Sequence, residues 1–280
     1  TILNKVISGK IINPPPIWLM RQAGRYLPEY RQIRAESGSF LNLCYSPKLA
    51  SKVTLQPIDR FDFDAAIIFA DILLIIENLG FKLDFNEKKG PVIENCLINK
   101  KINILYKEVK KSPLINIGET ISLTRGKLDK NKSLIGFCGA PWTVSTYIIN
   151  GGTTNSYEKC IKWAHDNYEY FMEMINLLVE ISSEYLIMHV EAGADIIKIF
   201  DTWSGVLNKN DFDNWVIKPT YQIVKNVKKK FPDVKIIGFP KNAGYFYEDY
   251  IKETQVDAVA IDPDLDMLYC KNTLQKLPVI

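Results

Sequence analysis

Four of the six arginines in this 280-residue chain, Arg21, Arg25, Arg31 and Arg34, fall in the stretch MRQAGRYLPEYRQIR (20–34), directly after the apolar run IWLM. A guanidinium presents a planar fork that pairs bidentately with carboxylate or phosphate, a geometry lysine does not imitate. Exposed charge is the ordinary state of a helix start, and Arg31 and Arg34 read that way. Arg21 and Arg25 follow the apolar run closely, with Gly24 between them for a close backbone approach, and their pattern points to an anionic ligand.

Asp71 poses the opposite problem, because it ends the apolar run AAIIFA (65–70), where a carboxylate needs a partner. One reading makes it the cap of a following helix. The other places it at a pocket near Arg21 or Arg25, where the cation keeps it ionised at neutral pH and suits it to stabilising positive charge rather than donating a proton. Tyr147, in GAPWTVSTYIINGG, lies shortly beyond Pro141, a residue suited to the first helical position. Packing and ligand contact fit the spacing of Tyr147 equally. Thr202, after Asp201, is either a turn cap or a ligand contact. His165, in a charged helix, and His189, remote from any strand exit, read as structural, and no His, Cys or carboxylate group shows metal-ligand spacing.

These residues must be held by elements, and the apolar pattern supplies them. Short, nearly continuous apolar runs occur at 17–20, 65–70, 133–139, 195–200, 235–239, 257–262 and at the final PVI. Runs of this length bounded by Gly, Pro or Asp read as strands of a parallel sheet buried on both faces. Between them lie helical spacings, clearest at 168–193, where Phe171, Ile175, Leu178, Ile181, Tyr185 and Met188 recur at steps of three and four before Gly193. The segment 213–230 is similar, with Pro219 expected to kink or restart it. Residues 86–132 are polar and poorly patterned, and are expected to hold an inserted helical excursion.

Alternating strand and helix predicts an α/β fold, either an open doubly wound sheet or a barrel. No Gly-x-Gly-x-x-Gly turn follows the first run, and the polar candidates decorate the exits of several different strands. A (β/α)8 barrel in one domain over 1–280 collects chemistry in that way. The net charge of +3 is too small and dispersed to indicate nucleic acid, and no apolar run has the length of a membrane span. Five widely spaced cysteines fit no disulfide framework, which favours a reducing, cytoplasmic compartment.

PPPIWLMRQAGRYLPEYR and GFCGAPWTVSTYIINGG resemble the two signatures of the uroporphyrinogen decarboxylase family, and FDAAIIFADIL, GADIIKIFDTWSGVL and IIGFPKNAG continue the resemblance in the family's order. The resemblance implies a (β/α)8 barrel that decarboxylates the four acetates of uroporphyrinogen III to give coproporphyrinogen III, with no metal or organic cofactor, as a cytoplasmic homodimer. Arg21, Gln22, Ala23, Gly24 and Arg25 match the family's binding loop, with both arginines on substrate carboxylates. Asp71 matches the aspartate that faces the pyrrole N–H groups, and Tyr147 and Thr202 match further substrate contacts. Asn150 stands where the second signature usually has Glu or Ala. The resemblance also implies a further strand and a loop carrying a substrate-contacting histidine beyond Ile280, so the chain is expected to be a C-terminally incomplete barrel. Two alternatives accompany this reading: a non-catalytic tetrapyrrole-binding form, and a related barrel methyltransferase with a zinc site of His and Cys ligands.

Overall fold

A computed structural model describes residues 1–86, 88–154 and 156–274. Four helices, α1 (Ile2–Ile7), α2 (Pro28–Glu36), α3 (Phe40–Cys44) and α4 (Pro47–Phe61), precede β1 (Ala65–Ile67). A hairpin of β2 (Lys82–Asn86) and β3 (Gly90–Glu94) comes next, then α5 (Ile115–Lys127), β4 (Ser133–Gly139), α6 (Pro141–Asn150), α7 (Glu158–Asp166), α8 (Tyr168–Glu191) and β5 (Ile196–Asp201). The remainder comprises α9 (Lys209–Phe212), α10 (Lys218–Lys230), β6 (Lys235–Pro240), α11 (Tyr247–Thr254), β7 (Ala258–Val259) and α12 (Met267–Tyr269).

Strands β1, β4, β5, β6 and β7 form one parallel sheet in that order, each pairing with the next. With helices joining successive neighbours, this is the winding of a TIM-barrel-like α/β fold. Every residue of β4 and β5 is buried, which is why these strands read as unbroken apolar runs rather than alternating ones. One core cluster extends from Leu3 to Leu274, and a smaller one around Leu27, Tyr30, Leu43 and Val53 lies among α2, α3 and α4.

Five of the seven expected strands are present. The first run, IWLM, is a correction: it lies beside β1 without forming a ladder. Its backbone contact is a bond from the Asp64 N–H to the Ile17 carbonyl (2.9 Å), and the Ile17 N–H is taken by the Asp64 carboxylate (2.7 Å). Pro14, Pro15 and Pro16 supply no N–H groups before it, and a turn begins at Leu19, so the run has no room for a ladder. The seventh run, PVI, lies outside the described residues. The segment 86–132 holds a helix as expected, α5, and adds to it β3 and the end of β2 at its start. Pro219 restarts the chain as expected: a π-helical turn, Asp213–Ile217, gives way to α10 with Pro219 in its first turn.

Two strand glycines are dictated by packing. A Cβ at Gly136 would lie 2.6 Å from His189 Nδ1, and one at Gly238 would lie 2.5 Å from the buried Tyr250 hydroxyl. His189 thus fills space against β4, and burial lowers its pKa to about 3, so it is neutral. His165 bonds Asp211 (2.9 Å) on the helical shell. Gly238→Ala is expected to lower stability by about 1–3 kcal/mol, because both backbone and ring must move. An unchanged denaturant midpoint would contradict this packing.

Candidate active site

A cavity of about 600 Å³ opens at the strand exits, within the range of small-molecule sites. Arg21, Ala23, Asp71, Tyr147 and Thr202 all line it, together with apolar walls from Phe69, Phe137 and Phe200. Five sequence candidates from four separate stretches therefore meet at one place. Gln22, Gly24 and Arg25 do not line the cavity.

Gln22 has another task. Its side chain is 1% exposed, its Oε1 accepts from the Leu19 N–H (3.1 Å) and its Nε2 donates to the Ala65 carbonyl (3.0 Å). The carboxamide thus bridges the IWLM run to β1 where a strand ladder is missing, and the Tyr26 hydroxyl closes on the Gln22 carbonyl. This clamp sets the position of Arg21. Arg25 is exposed, and its carbonyl accepts from Arg31 Nη1 (2.8 Å). Gly24 differs from the expectation of a close approach, since a Cβ there would meet nothing nearer than 3.7 Å. Arg31 is exposed as expected, and also braces the turn through the Arg25 and Tyr26 carbonyls.

Asp71 lines the cavity and also holds a local turn. Its Oδ1 accepts from the Leu73 N–H (2.9 Å), two residues on, and Leu73 is itself the cap position of the 3-10 turn at Leu74–Leu79, so the carboxylate holds a local turn rather than capping a helix. It also faces the cavity, and among the described residues no donor is bonded to its Oδ2. Burial raises its pKa to about 6, against the Leu73 N–H and the Arg21 guanidinium, which both favour the charged form. The apolar wall outweighs the cation, and the pKa rises rather than falls. The carboxylate is still ionised at pH 7.

Tyr147 reaches the cavity from α6, whose entry is held by the Ala140 N–H bonded to the Phe200 carbonyl (2.8 Å). Burial raises its pKa. Thr202 is set by a buried relay that sequence reasoning did not find. Thr143 on α6 donates to Asp201 Oδ1 (2.5 Å) and accepts from the Trp203 N–H (3.0 Å), pinning the residues on either side of Thr202. Asp201 is fully buried, and burial pushes its pKa up to about 7 despite the Thr143 donors.

Lys241, which follows β6, also lines the cavity and was missed. Its only sequence signal is its place directly after a strand. Among the described residues there is no group of three or more His, Cys, Asp or Glu arranged to hold a metal ion. The arrangement amounts to an apolar chamber with two cations, Arg21 and Lys241, and one carboxylate aimed inward. Such a chamber suits a large ring whose edge carries anions and whose centre carries N–H donors.

The family pattern described as Uroporphyrinogen decarboxylase (URO-D) matches residues 1–280. The chain belongs to the uroporphyrinogen decarboxylase family. It is 42% identical over 273 residues to the uroporphyrinogen decarboxylase of Rhodospirillum rubrum, covering 98% of this chain and 78% of that protein. The uroporphyrinogen decarboxylase of Brucella anthropi is 49% identical over 258 residues, covering 92% of this chain and 75% of its own length. A methyltransferase from Methanosarcina mazei superposes with a TM-score of 0.70 at 16% identity, over 92% of this chain and 74% of that one. That likeness concerns the fold alone.

Proposed function

We propose that the cavity carries out the decarboxylation of uroporphyrinogen III in porphyrin biosynthesis, converting its four acetates to methyls and yielding coproporphyrinogen III. Family membership supports the reaction. The observation that supports the site is the convergence of Arg21, Asp71, Tyr147 and Thr202 on one apolar chamber. In each round a proton adds to the pyrrole carbon beside the one that bears the acetate methylene, which turns the ring into an iminium-like electron sink conjugated to that methylene. The bond to the carboxylate carbon breaks, carbon dioxide leaves, and its electron pair neutralises the iminium. The resulting exocyclic methylene takes a proton to become methyl, and the ring loses one to restore the pyrrole. The balance is one acetate and one proton giving one methyl and one carbon dioxide.

Positive charge develops on the pyrrole nitrogen during bond breaking, so a fixed carboxylate near that N–H lowers the barrier. Asp71 holds that place in this reading, with Oδ2 toward the ring and Oδ1 anchored by Leu73. Arg21 pairs a substrate carboxylate, and Tyr147 and Thr202 supply further polar contacts. Ala23 keeps the loop surface small beside the ring, while Gln22 and Gly24 belong to the same loop as its frame. Arg25 stands outside the cavity and is reached by a side-chain carboxylate that projects beyond it.

Arg25→Ala is expected to raise KM and lower kcat, since loss of the fork affects both positioning and the transition state. Unchanged values of both would return Arg25 to the solvated surface. A homodimer working in the cytoplasm belongs to the same reading, and the five cysteines, all free of disulfides, support a reducing compartment. The direct test is anaerobic incubation with uroporphyrinogen III, followed by oxidation and chromatography. Products with seven to four carboxylates support the reading, and recovery of intact octacarboxylate rejects it.

A further inference from the structure

Lys241 combines a tightly held backbone with an unengaged side chain. Its N–H donates to the Asp201 carbonyl (3.0 Å), and its own carbonyl accepts from the Gly205 N–H (3.1 Å) and the Ser204 hydroxyl (2.9 Å). The next residue, Asn242, has a φ of +60°, and its N–H is bound by Asp262 Oδ2 (2.7 Å), which also takes the Tyr247 hydroxyl (2.8 Å). Gly205 is required by this packing, because a Cβ there would lie 2.3 Å from the Asn242 carbonyl oxygen. Four elements therefore fix where the lysine leaves the backbone.

Its ammonium makes no ion pair or hydrogen bond among the described residues, although other lysines in the fold do: Lys228 with Asp257 at 2.8 Å, Lys132 with Asp62 at 2.8 Å, and Lys209 with Asp249 at 3.1 Å. Asp71 is not its partner either, since the cation acting on Asp71 is Arg21. Lys241 also leaves the sheet three strands away from β1, beside which Arg21 sits. A cation pinned in this way at a cavity wall, without a protein anion, is complementary to an anion brought by the ligand.

We propose that Lys241 forms a second carboxylate subsite, holding a different side chain of the tetrapyrrole from the one that Arg21 holds. The proposal rests on the reading of the cavity as a uroporphyrinogen site. An ammonium is a point charge with three rotatable donors, whereas a guanidinium demands one planar approach. Lys241 therefore accommodates carboxylates arriving at different angles as four acetates are presented in succession.

The test compares Lys241→Met and Lys241→Arg with the wild-type chain in steady-state turnover of uroporphyrinogen III, with thermal melts as the fold check. Lys241→Met is expected to raise KM about 10–150-fold with kcat changed less than about threefold, equivalent to one charged hydrogen bond. Lys241→Arg is expected to recover most of the lost affinity. A KM unchanged in Lys241→Met, with a wild-type melt, overturns the subsite. If Lys241→Met fails to fold, Lys241→Gln provides the same reading with the polar stem retained. Absence of turnover by the wild-type chain would instead reject the substrate assignment, so the two failures are distinct.

Discussion

Asp71→Asn is expected to lower kcat about 10²–10³-fold while leaving the chain folded. Asparagine keeps an oxygen for the Leu73 N–H, so that bond survives and only the charge facing the cavity is removed. The same change is expected to raise the melting temperature above pH 6. Burial lifts the folded-state pKa of Asp71 from 3.8 to about 6, so the folded chain holds that proton more tightly than the unfolded chain does. Stability therefore falls as pH rises between those two values, and a neutral amide is spared that loss. Wild-type turnover should in turn decline as pH drops below about 6, when the carboxylate becomes protonated. Activity down with stability up is the pattern of a group retained for chemistry. A kcat for Asp71→Asn close to wild type would remove Asp71 from the mechanism.

Lys198→Met is expected to be the most stabilising single change in the barrel interior. Lys198 lies within β5, is 2% exposed, and has no carboxylate partner among the described residues. Its ammonium sits over the rings of Trp18 at 4.7 Å, Phe200 at 5.1 Å and Phe239 at 5.2 Å. Burial pulls its pKa from 10.5 down to about 7, which corresponds to at most about 5 kcal/mol of lost stability when the group is charged. The ring faces return part of that, so a gain of about 1–4 kcal/mol is the expected scale for methionine, which matches the stem in volume. The unfolded chain binds the extra proton between pH 7 and 10.5, so wild-type stability rises across that window. The advantage of the methionine variant is accordingly largest at and below pH 7 and vanishes toward pH 10.5. Denaturant melts at pH 6.5 and 10 measure it, and equal stabilities at pH 6.5 would refute the burial penalty.

Much of this was legible in the residues. The strands at 133–139, 195–200 and 235–239 announced themselves because both faces of a parallel sheet are buried, leaving no polar alternation to interrupt the run. Asp71, Tyr147 and Thr202 could be located because each follows closely on such a strand, where the barrel gathers its chemistry. The IWLM run misled because apolar composition records burial and not pairing, and three prolines upstream remove the donors a ladder needs. Gln22 looked like one more member of a binding loop, yet its carboxamide is turned inward to replace those missing bonds.

The alternation of strand and helix, the clustering of guanidinium after the first apolar run and the family follow from residue type and order along the chain. Which of those charges share a cavity depends on how the chain folds in space. The tertiary structure brought Arg21 and Asp71 together while leaving Arg25 outside, and drew Lys241 in from β6. It also set the proton affinities of Asp71, Lys198 and Asp201, because desolvation depends on what surrounds a group in space. Residues far apart in the chain, such as Thr143 and Asp201, create that surrounding, and no local pattern encodes their meeting.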